Sequence, residues 1–251
     1  MRLCINCDDF GLSPQIDKGT LEAAEAGLIS SCSVLPYSAS HDNLNRLGIY
    51  DAMSVGLHFS LTTLEQGIFA SASSPGRLLK EILSRRIKAS HIREELERQY
   101  DVLRSKWKGE VTHIDTHQHV HIIPMINDVL HKFASAHSIP HVRNPKETTY
   151  RQTRVKIIIN LGFGFQKQDI PFWGQSFMGK NFTKDNICKQ FDYLASQGIE
   201  DSIWMVHVGY SDRTGFKDPY NKEREQELRV LLGLSDEIKS RFKIVSLTEL
   251  E

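Results

Sequence analysis

The chain has 251 residues, of which 40% are hydrophobic and 25% are charged, and its 31 basic side chains balance 31 acidic ones. This composition is ordinary for a globular protein with a core of normal size, and α/β barrels commonly use this length as one domain. Zero net charge argues against nucleic acid or an anionic membrane as the main partner, because both usually require a basic surface.

The sequence indicates neither secretion nor a membrane anchor. Acidic residues begin at position 8, before an apolar signal segment could form, and no apolar run approaches the roughly 20 residues that span a bilayer. We therefore expect a cytoplasmic protein. Cys4 and Cys7 lie in a predicted strand, where positions three apart point to opposite faces. We interpret them as buried packing residues rather than a redox pair.

Predicted strands and helices alternate along the chain. Apolar and β-branched runs predict strands at residues 3–7, 29–35, 54–59, 111–115, 141–143, 202–208 and 242–246. Ser13 is a predicted N-cap for a helix that begins at Pro14 and ends before Gly27. Further helices are predicted at residues 91–107, 124–136, 184–197 and 223–232. This order is typical of βαβ units, with parallel strands and helices outside the sheet.

Two stretches interrupt the alternation. Residues 62–77 are small and polar and predict a long loop, and residues 145–183 predict an irregular insertion within a single domain spanning 1–251. The insertion is rich in aromatic side chains, namely Phe163, Phe165, Phe172, Trp173, Phe177 and Phe182. Such a segment could form a wall of a binding site, complete the core, or pack on a neighbouring subunit in a homodimer.

Polar side chains recur at the carboxyl ends of the predicted strands, where parallel α/β folds bind ligands. In chain order they are Asp8 and Asp9, His58, Asp115 and His117, Arg143, and His207. Buried acids at a strand end are costly unless a cation or a reaction needs them. Their convergence from distant segments indicates a metal site, and so a hydrolytic enzyme.

Asp8 and Asp9 are adjacent, and neighbouring side chains on an extended segment face opposite ways. One carboxylate could then bind a metal while the other transfers a proton, or both could cap the following helix in a solvated turn.

The histidine-rich segment at residues 113–121 has polar side chains at every second position. A strand continued through it would have a face unable to pack, so the segment must line a cavity or leave the sheet soon after Asp115. His113, His119 and His121 stay ambiguous, and one or two are expected to hydrogen-bond to groups that bind the metal.

Four segments in chain order match one known pattern: N-C-D-D-F-G at residues 6–11, G-L-H-F-S-L-T at 56–62, H-I-D-T-H-Q-H-V-H at 113–121 and M-V-H at 205–207. Together they resemble the YdjC-like carbohydrate deacetylases of the chitooligosaccharide deacetylase type. The first and third segments are specific, whereas the second and fourth are weak alone.

The resemblance implies a distorted seven-stranded (β/α) barrel of the polysaccharide-deacetylase type, and hydrolysis of an N-acetyl group from an amino sugar, often a short chitin oligosaccharide. Carried over by motif, Asp9, His58 and His117 would bind a divalent metal ion. Asp8 would be the general base, and His207 the acid or the group that stabilises the tetrahedral intermediate.

Arg143 completes the predicted catalytic group, because a cation beside Asp8 would keep that carboxylate ionised. The predicted ligands are hard to borderline donors, so Mg²⁺ or Zn²⁺ is expected first, with manganese, cobalt and iron open. The partner expected for the site is a small carbohydrate substrate.

Three other functions stay open. One carboxylate and two histidines also form the iron site of oxygenases, although that chemistry typically occurs on antiparallel jelly-roll barrels. A non-catalytic carbohydrate-binding protein on the same fold is the second. The third is a related metal-dependent amidase or deacylase on another acylated sugar, because fold and metal do not determine the substrate.

Overall fold

A computed structural model of the protein describes residues 1–50, 53–152, 170–212, 218 and 220–250. Its strands are β1 (Arg2–Phe10), β2 (Ser31–Val34), β3 (Ser54–Phe59), β4 (His113–Thr116), β5 (His141–Val142), β6 (Phe172–Trp173), β7 (Asp201–Val206) and β8 (Lys243–Ile244). Its helices are α1 (Pro14–Glu25), α2 (His41–Leu47), α3 (Pro75–Leu83), α4 (Ala89–Lys106), α5 (Pro124–Ala136), α6 (Lys184–Ser196), α7 (Asn221–Gly233) and α8 (Ser235–Arg241). Within these ranges, no helix combines the length and the apolar character needed to cross a bilayer.

The described strands pair in parallel, and seven of them follow the order β5–β4–β3–β2–β1–β7–β6. β8 pairs with the first residues of β1. A bridge between Glu147 and Phe172 joins the chain just past β5 to β6, so the two ends of the curled sheet approach each other. The expected distorted seven-stranded (β/α) barrel is confirmed.

Side chains on each strand alternate between the layer under the helices and the inside of the barrel. On β1, Leu3, Ile5 and Cys7 belong to the large apolar cluster shared with the helices, whereas Cys4 lies in a smaller separate cluster. Cys4 and Cys7 therefore point to opposite faces, as predicted, and both are buried free thiols.

The positions that alternate with this apolar layer on four of the strands are polar and buried: Asn6, Asp8, Ser31, Ser33, His58, His113 and Asp115. Burying a large apolar side chain contributes about 1.5–3 kcal/mol, whereas a buried polar group costs free energy unless it is hydrogen-bonded. Packing alone therefore does not explain why the barrel is polar here.

Three helices and one strand were not predicted: α2, α3, α8 and β6. The prediction of one loop over 62–77 is wrong at its end, because α3 begins at Pro75 and the Ser74 side chain caps it by accepting from the Arg77 N–H. A 3-10 turn also occupies Gly67–Phe69 within that stretch. Ser74 followed by Pro75 is a helix-start signal that the composition of the loop obscured.

The insertion predicted at 145–183 lies partly outside the described residues, which exclude 153–169 and therefore Phe163 and Phe165. The other aromatic side chains pack in the core: Phe172, Trp173, Phe177 and Phe182. Trp173 stacks on Trp204, with ring centroids 4.6 Å apart, because β6 pairs with β7. These four aromatic residues therefore complete the core. Two other residues of the same segment, Gln175 and Met178, line a cavity that also contains Asp8 and Asp9.

Candidate active site and metal centre

Asp8 and Asp9 lie within the last residues of β1 rather than after it. Asp9 has a φ of 68°, and the pairing with β2 shifts register between Cys7 and Phe10. The expectation that the two carboxylates face opposite ways is wrong, because the backbone is not extended at Asp9. This left-handed conformation, which non-glycine residues seldom adopt, lets both side chains line one cavity.

Asp9, His58 and His117 meet at that cavity. Asp9 Oδ1 is 3.1 Å from His58 Nε2 and 2.9 Å from His117 Nδ1. One potential ligand atom from each residue lies within 4.8 Å of the other two. The side chains come from β1, from β3 and from the residue that follows β4, so the parallel strands bring them together. This geometry allows all three to hold a single ion.

The surroundings of His58 fit a cation. Its Nδ1 lies 2.5 Å from Asp115 Oδ1, and because a carboxylate accepts, Nδ1 donates and Nε2 points at Asp9. Burial alone lowers the pKa of His58, but the carboxylates of Asp115 and Asp8 raise it to about 10. The same negative charge favours a metal ion at Nε2 in place of a proton. One carboxylate with two imidazoles suits zinc, and leaves positions open on the ion.

The second oxygen of Asp9 accepts a hydrogen bond from Arg224, a residue that was not predicted from the sequence. Arg224, buried on α7, donates from Nη2 to Asp9 Oδ2 at 2.6 Å and from Nε to Asp218 Oδ2 at 2.5 Å. Burial raises the pKa of Asp9, but Arg224 and His117 bring it well below its usual range. Asp9 is therefore ionised and presents Oδ1 to an ion.

Asp8 forms a bidentate ion pair with Arg143, the residue that follows β5. Arg143 Nη1 donates to Asp8 Oδ2 at 2.6 Å, and Nη2 donates to Asp8 Oδ1 at 2.7 Å. Nη2 also lies 2.5 Å from Asp115 Oδ2, so the guanidinium bridges two buried carboxylates. Burial raises the pKa of Asp8, but Arg143 offsets this and the pKa lies below its ordinary value. Asp8 is thus held in the form that can accept a proton.

His207 directly follows β7, the strand beside β1, and its Nε2 is 4.0 Å from Asp8 Oδ2. Its main-chain N–H donates to Glu227 Oε2 at 2.7 Å, and the hydroxyl of Tyr220 donates to the other oxygen of Glu227. The Tyr220 ring lies edge-on to His207, with centroids 5.6 Å apart. Glu227 and Tyr220, like Arg224, were not singled out from the sequence.

The histidine-rich segment leaves the sheet after Thr116, as predicted, through Gln118 and His119 in left-handed conformations with φ of 58° and 50°. His113 lies one contact away from Asp115: its Nε2 is 3.1 Å from Ser33 Oγ, which donates to Asp115 Oδ2 at 2.6 Å. Burial lowers the pKa of His113 to about 4, so the ring is neutral. His113 therefore supports Asp115, which in turn orients the candidate metal ligand His58. His113 itself does not reach Asp9.

One cavity of about 900 Å³ is lined by five of the six predicted site residues: Asp8, Asp9, His58, His117 and His207. The sixth, Arg143, contacts Asp8 without appearing in the wall. This volume is within the range of small-molecule sites, near its upper end. The structure therefore brings all six predicted residues to one place, although they span two hundred positions of the chain.

Fold and cavity together define a (β/α)-barrel protein with a candidate metal centre at the carboxyl ends of its strands. A profile of the YdjC-like protein family matches residues 2–243. The chain therefore belongs to the YdjC-like family, as its motifs indicated.

Known proteins resemble this chain over nearly its whole length. A chitooligosaccharide deacetylase of Serratia marcescens is 29% identical over 236 residues, which cover 91% of this chain and 90% of that protein. Among solved structures, a protein of Enterococcus faecalis V583 proposed to cleave cellobiose-phosphate has a TM-score of 0.74 and 20% identity, over 99% of this chain and 98% of that one. The peptidoglycan deacetylase PdaC of Bacillus subtilis has a TM-score of 0.52 and 13% identity, over 99% and 89%. At these identities the structural likenesses show a shared fold.

Proposed function

We propose that the protein is a metal-dependent carbohydrate deacetylase that removes the N-acetyl group from an amino sugar, with a short chitin-type oligosaccharide as the substrate class. The observation that carries the proposal is the meeting of Asp9, His58 and His117 beside the Asp8–Arg143 ion pair in one cavity. The family and the name of the Serratia marcescens relative support the same activity. The parallel barrel argues against the oxygenase alternative, which typically occurs on antiparallel folds.

An amide is a poor electrophile. A divalent ion held by Asp9, His58 and His117 would polarise the amide carbonyl and acidify a water molecule, since zinc lowers the pKa of bound water to about 7. Asp8 is ionised and lines the cavity, so it is placed to take a proton from the attacking water. Arg143 holds both oxygens of Asp8 and fixes the direction in which it accepts. His207 borders the cavity beside Asp8 and is placed to protonate the leaving amine.

Acetate release from diacetylchitobiose and from other acylated sugars tests this function, alongside elemental analysis of the bound metal. We expect one acetate for each free amine formed, loss of activity on chelation and recovery with added divalent ion. Asp8→Asn should keep the metal but lower turnover by about 10²–10⁴-fold, the usual contribution of a positioned base. His117→Ala should lose metal and activity together, whereas His41→Ala, at an exposed position, serves as the control. Full turnover in Asp8→Asn would exclude this residue as the base.

A related metal-dependent amidase or deacylase acting on another acylated sugar is the second candidate. It stays open because the fold does not determine the substrate: the Enterococcus faecalis protein that shares this fold is proposed to cleave cellobiose-phosphate. The groups proposed for catalysis would act on the reacting amide or ester and not on the rest of the sugar, so they suit several acyl sugars equally. Release of acid from another acylated sugar, with none from N-acetylated ones, would favour this candidate.

A further inference from the structure

Tyr37 is an exposed aromatic side chain in the wall of the candidate active site. It is 48% exposed, although most aromatic side chains in the described part of the chain are buried. It lines the same cavity as Asp9 and His58. Exposed aromatic rings beside a binding cavity are common contact surfaces, because they offer a large apolar face with few rotatable bonds.

The loop that carries Tyr37 is clamped by one ammonium group. Lys106 Nζ, at the end of α4, donates to the carbonyl oxygens of Pro36 at 2.7 Å, Ala39 at 2.9 Å and Tyr37 itself at 3.4 Å. Three carbonyls turned toward one cation define the backbone of the loop between β2 and α2.

The same loop lies directly on the strand end that carries Asp9. Gly11, two residues after Asp9, has a φ of +92°, and a Cβ there would lie 2.7 Å from both Ala39 Cβ and Leu35 O. Only glycine accommodates this approach and this backbone conformation. The position of Tyr37 relative to Asp9 is therefore set by direct backbone packing.

The ring of Tyr37 is also held at its far end. Its hydroxyl donates to Glu95 Oε1 at 2.8 Å, and Glu95 is buried and also accepts from Gln99 Nε2 at 2.8 Å. Burial and the Glu95 carboxylate raise the pKa of Tyr37 to about 12, so the hydroxyl stays a neutral donor. A ring fixed at both ends loses little conformational entropy when a ligand packs on it.

We propose that Tyr37 is a stacking platform for a sugar ring of the substrate other than the ring whose acetamido group reacts. A pyranose ring has a flat face of C–H bonds that packs on an aromatic ring, while its hydroxyls keep their hydrogen bonds at the edge. The cavity of about 900 Å³ is near the upper end of small-molecule sites and has room for more than one such ring. The platform makes Tyr37 a determinant of specificity for a disaccharide over a monosaccharide. This inference rests on the proposed deacetylase function.

The test compares N-acetylglucosamine with diacetylchitobiose in the metal-loaded protein. We expect Tyr37→Ala to raise KM for the disaccharide by about 3- to 10-fold, the usual worth of an aromatic contact, and to change KM for the monosaccharide by less than about 2-fold. Tyr37→Phe keeps the ring and should restore most of the disaccharide affinity. Tyr193→Ala, which removes a half-buried tyrosine of α6 outside the cavity wall, is the matched control.

Equal KM changes for the two sugars in Tyr37→Ala would overturn the platform, and so would a Tyr37→Phe protein that behaves like Tyr37→Ala. Either result would mean that Tyr37 only braces the loop through Glu95. If neither sugar is deacetylated, the proposed function fails, and calorimetric titration of diacetylchitobiose tests the platform separately. Binding that is weaker in Tyr37→Ala than in the wild type supports the platform. Equal binding, or none to the wild type, overturns it.

Discussion

Arg224 Nη2 donates a hydrogen bond to Asp9 Oδ2 across 2.6 Å, while Asp9 Oδ1 faces His58 and His117. The arginine lies on α7, 215 positions further along the chain. With one oxygen held by a guanidinium, Asp9 is oriented as a ligand through its other oxygen. Partners of metal ligands affect metal affinity strongly even though they do not touch the metal.

Arg224→Met should therefore weaken divalent metal binding by about 10- to 100-fold, because Asp9 loses the group that orients it and keeps it ionised. Calorimetric titration of Zn²⁺ into the metal-free protein measures this. Arg229→Met, at an exposed position of the same helix, is the matched control. Thermal unfolding of the metal-free variants separates a change in affinity from loss of the fold. Unchanged zinc affinity in a folded Arg224→Met protein would contradict the role given to Arg224.

A second prediction about metal affinity follows from the hydrogen bond between His58 Nδ1 and Asp115 Oδ1. Asp115→Asn preserves the size of the side chain but removes the charge that makes His58 a stronger base, so zinc affinity should fall by about 10- to 100-fold. Asp128→Asn, at an exposed position of α5, controls for the loss of one carboxylate. Zinc titrations that superimpose for wild type and Asp115→Asn would show that His58 needs no such partner.

Most of the candidate site could be predicted from the sequence because its residues end strands. Parallel strands bring their carboxyl ends to one edge, so the topology places Asp9, His58 and His117 near one another. The pairing of His58 with Asp115 also follows from register, since these residues are direct partners on β3 and β4. Alternation along the strands predicts the polar inside of the barrel in the same way.

The other parts of the site and of the fold depend on tertiary packing, which local sequence patterns do not predict. Arg224 and Glu227 lie in α7, and the sequence around them at residues 223–228, E-R-E-Q-E-L, is typical of a solvent-exposed helix face. They are buried only because α7 packs beside β1 and β7. The left-handed backbone conformation of Asp9 could not be predicted either, because nothing in the sequence D-D-F-G at residues 8–11 requires it. β6 has two residues, too few for a periodic signal.

Buried His113 predicts acid sensitivity of the fold. Burial lowers its pKa from 6.5 to about 4, so between these values the unfolded chain binds more protons than the folded one. The free energy of unfolding should therefore decrease as pH falls through this window, by roughly 3 kcal/mol for this residue when the shift is fully expressed. Urea unfolding of wild type and His113→Gln from pH 7 to pH 4 measures the effect. His113→Gln should have a shallower slope, by up to about 1.4 kcal/mol per pH unit, and parallel curves would assign the sensitivity to other groups.

Glu227 joins the main chain of His207 to the hydroxyl of Tyr220, and we expect it to position His207 without affecting the metal. Glu227→Gln leaves one acceptor oxygen for three donors, the third being the main-chain N–H of Gly179. Losing a hydrogen bond to a charged group costs about 1.5–3 kcal/mol. Turnover of diacetylchitobiose should then fall by about 10- to 100-fold, while zinc affinity stays within about 2-fold because Asp9, His58 and His117 keep their contacts. Glu223→Gln, on the same helix, is the control. A parallel loss of zinc affinity in Glu227→Gln would mean that Glu227 supports the whole site rather than His207.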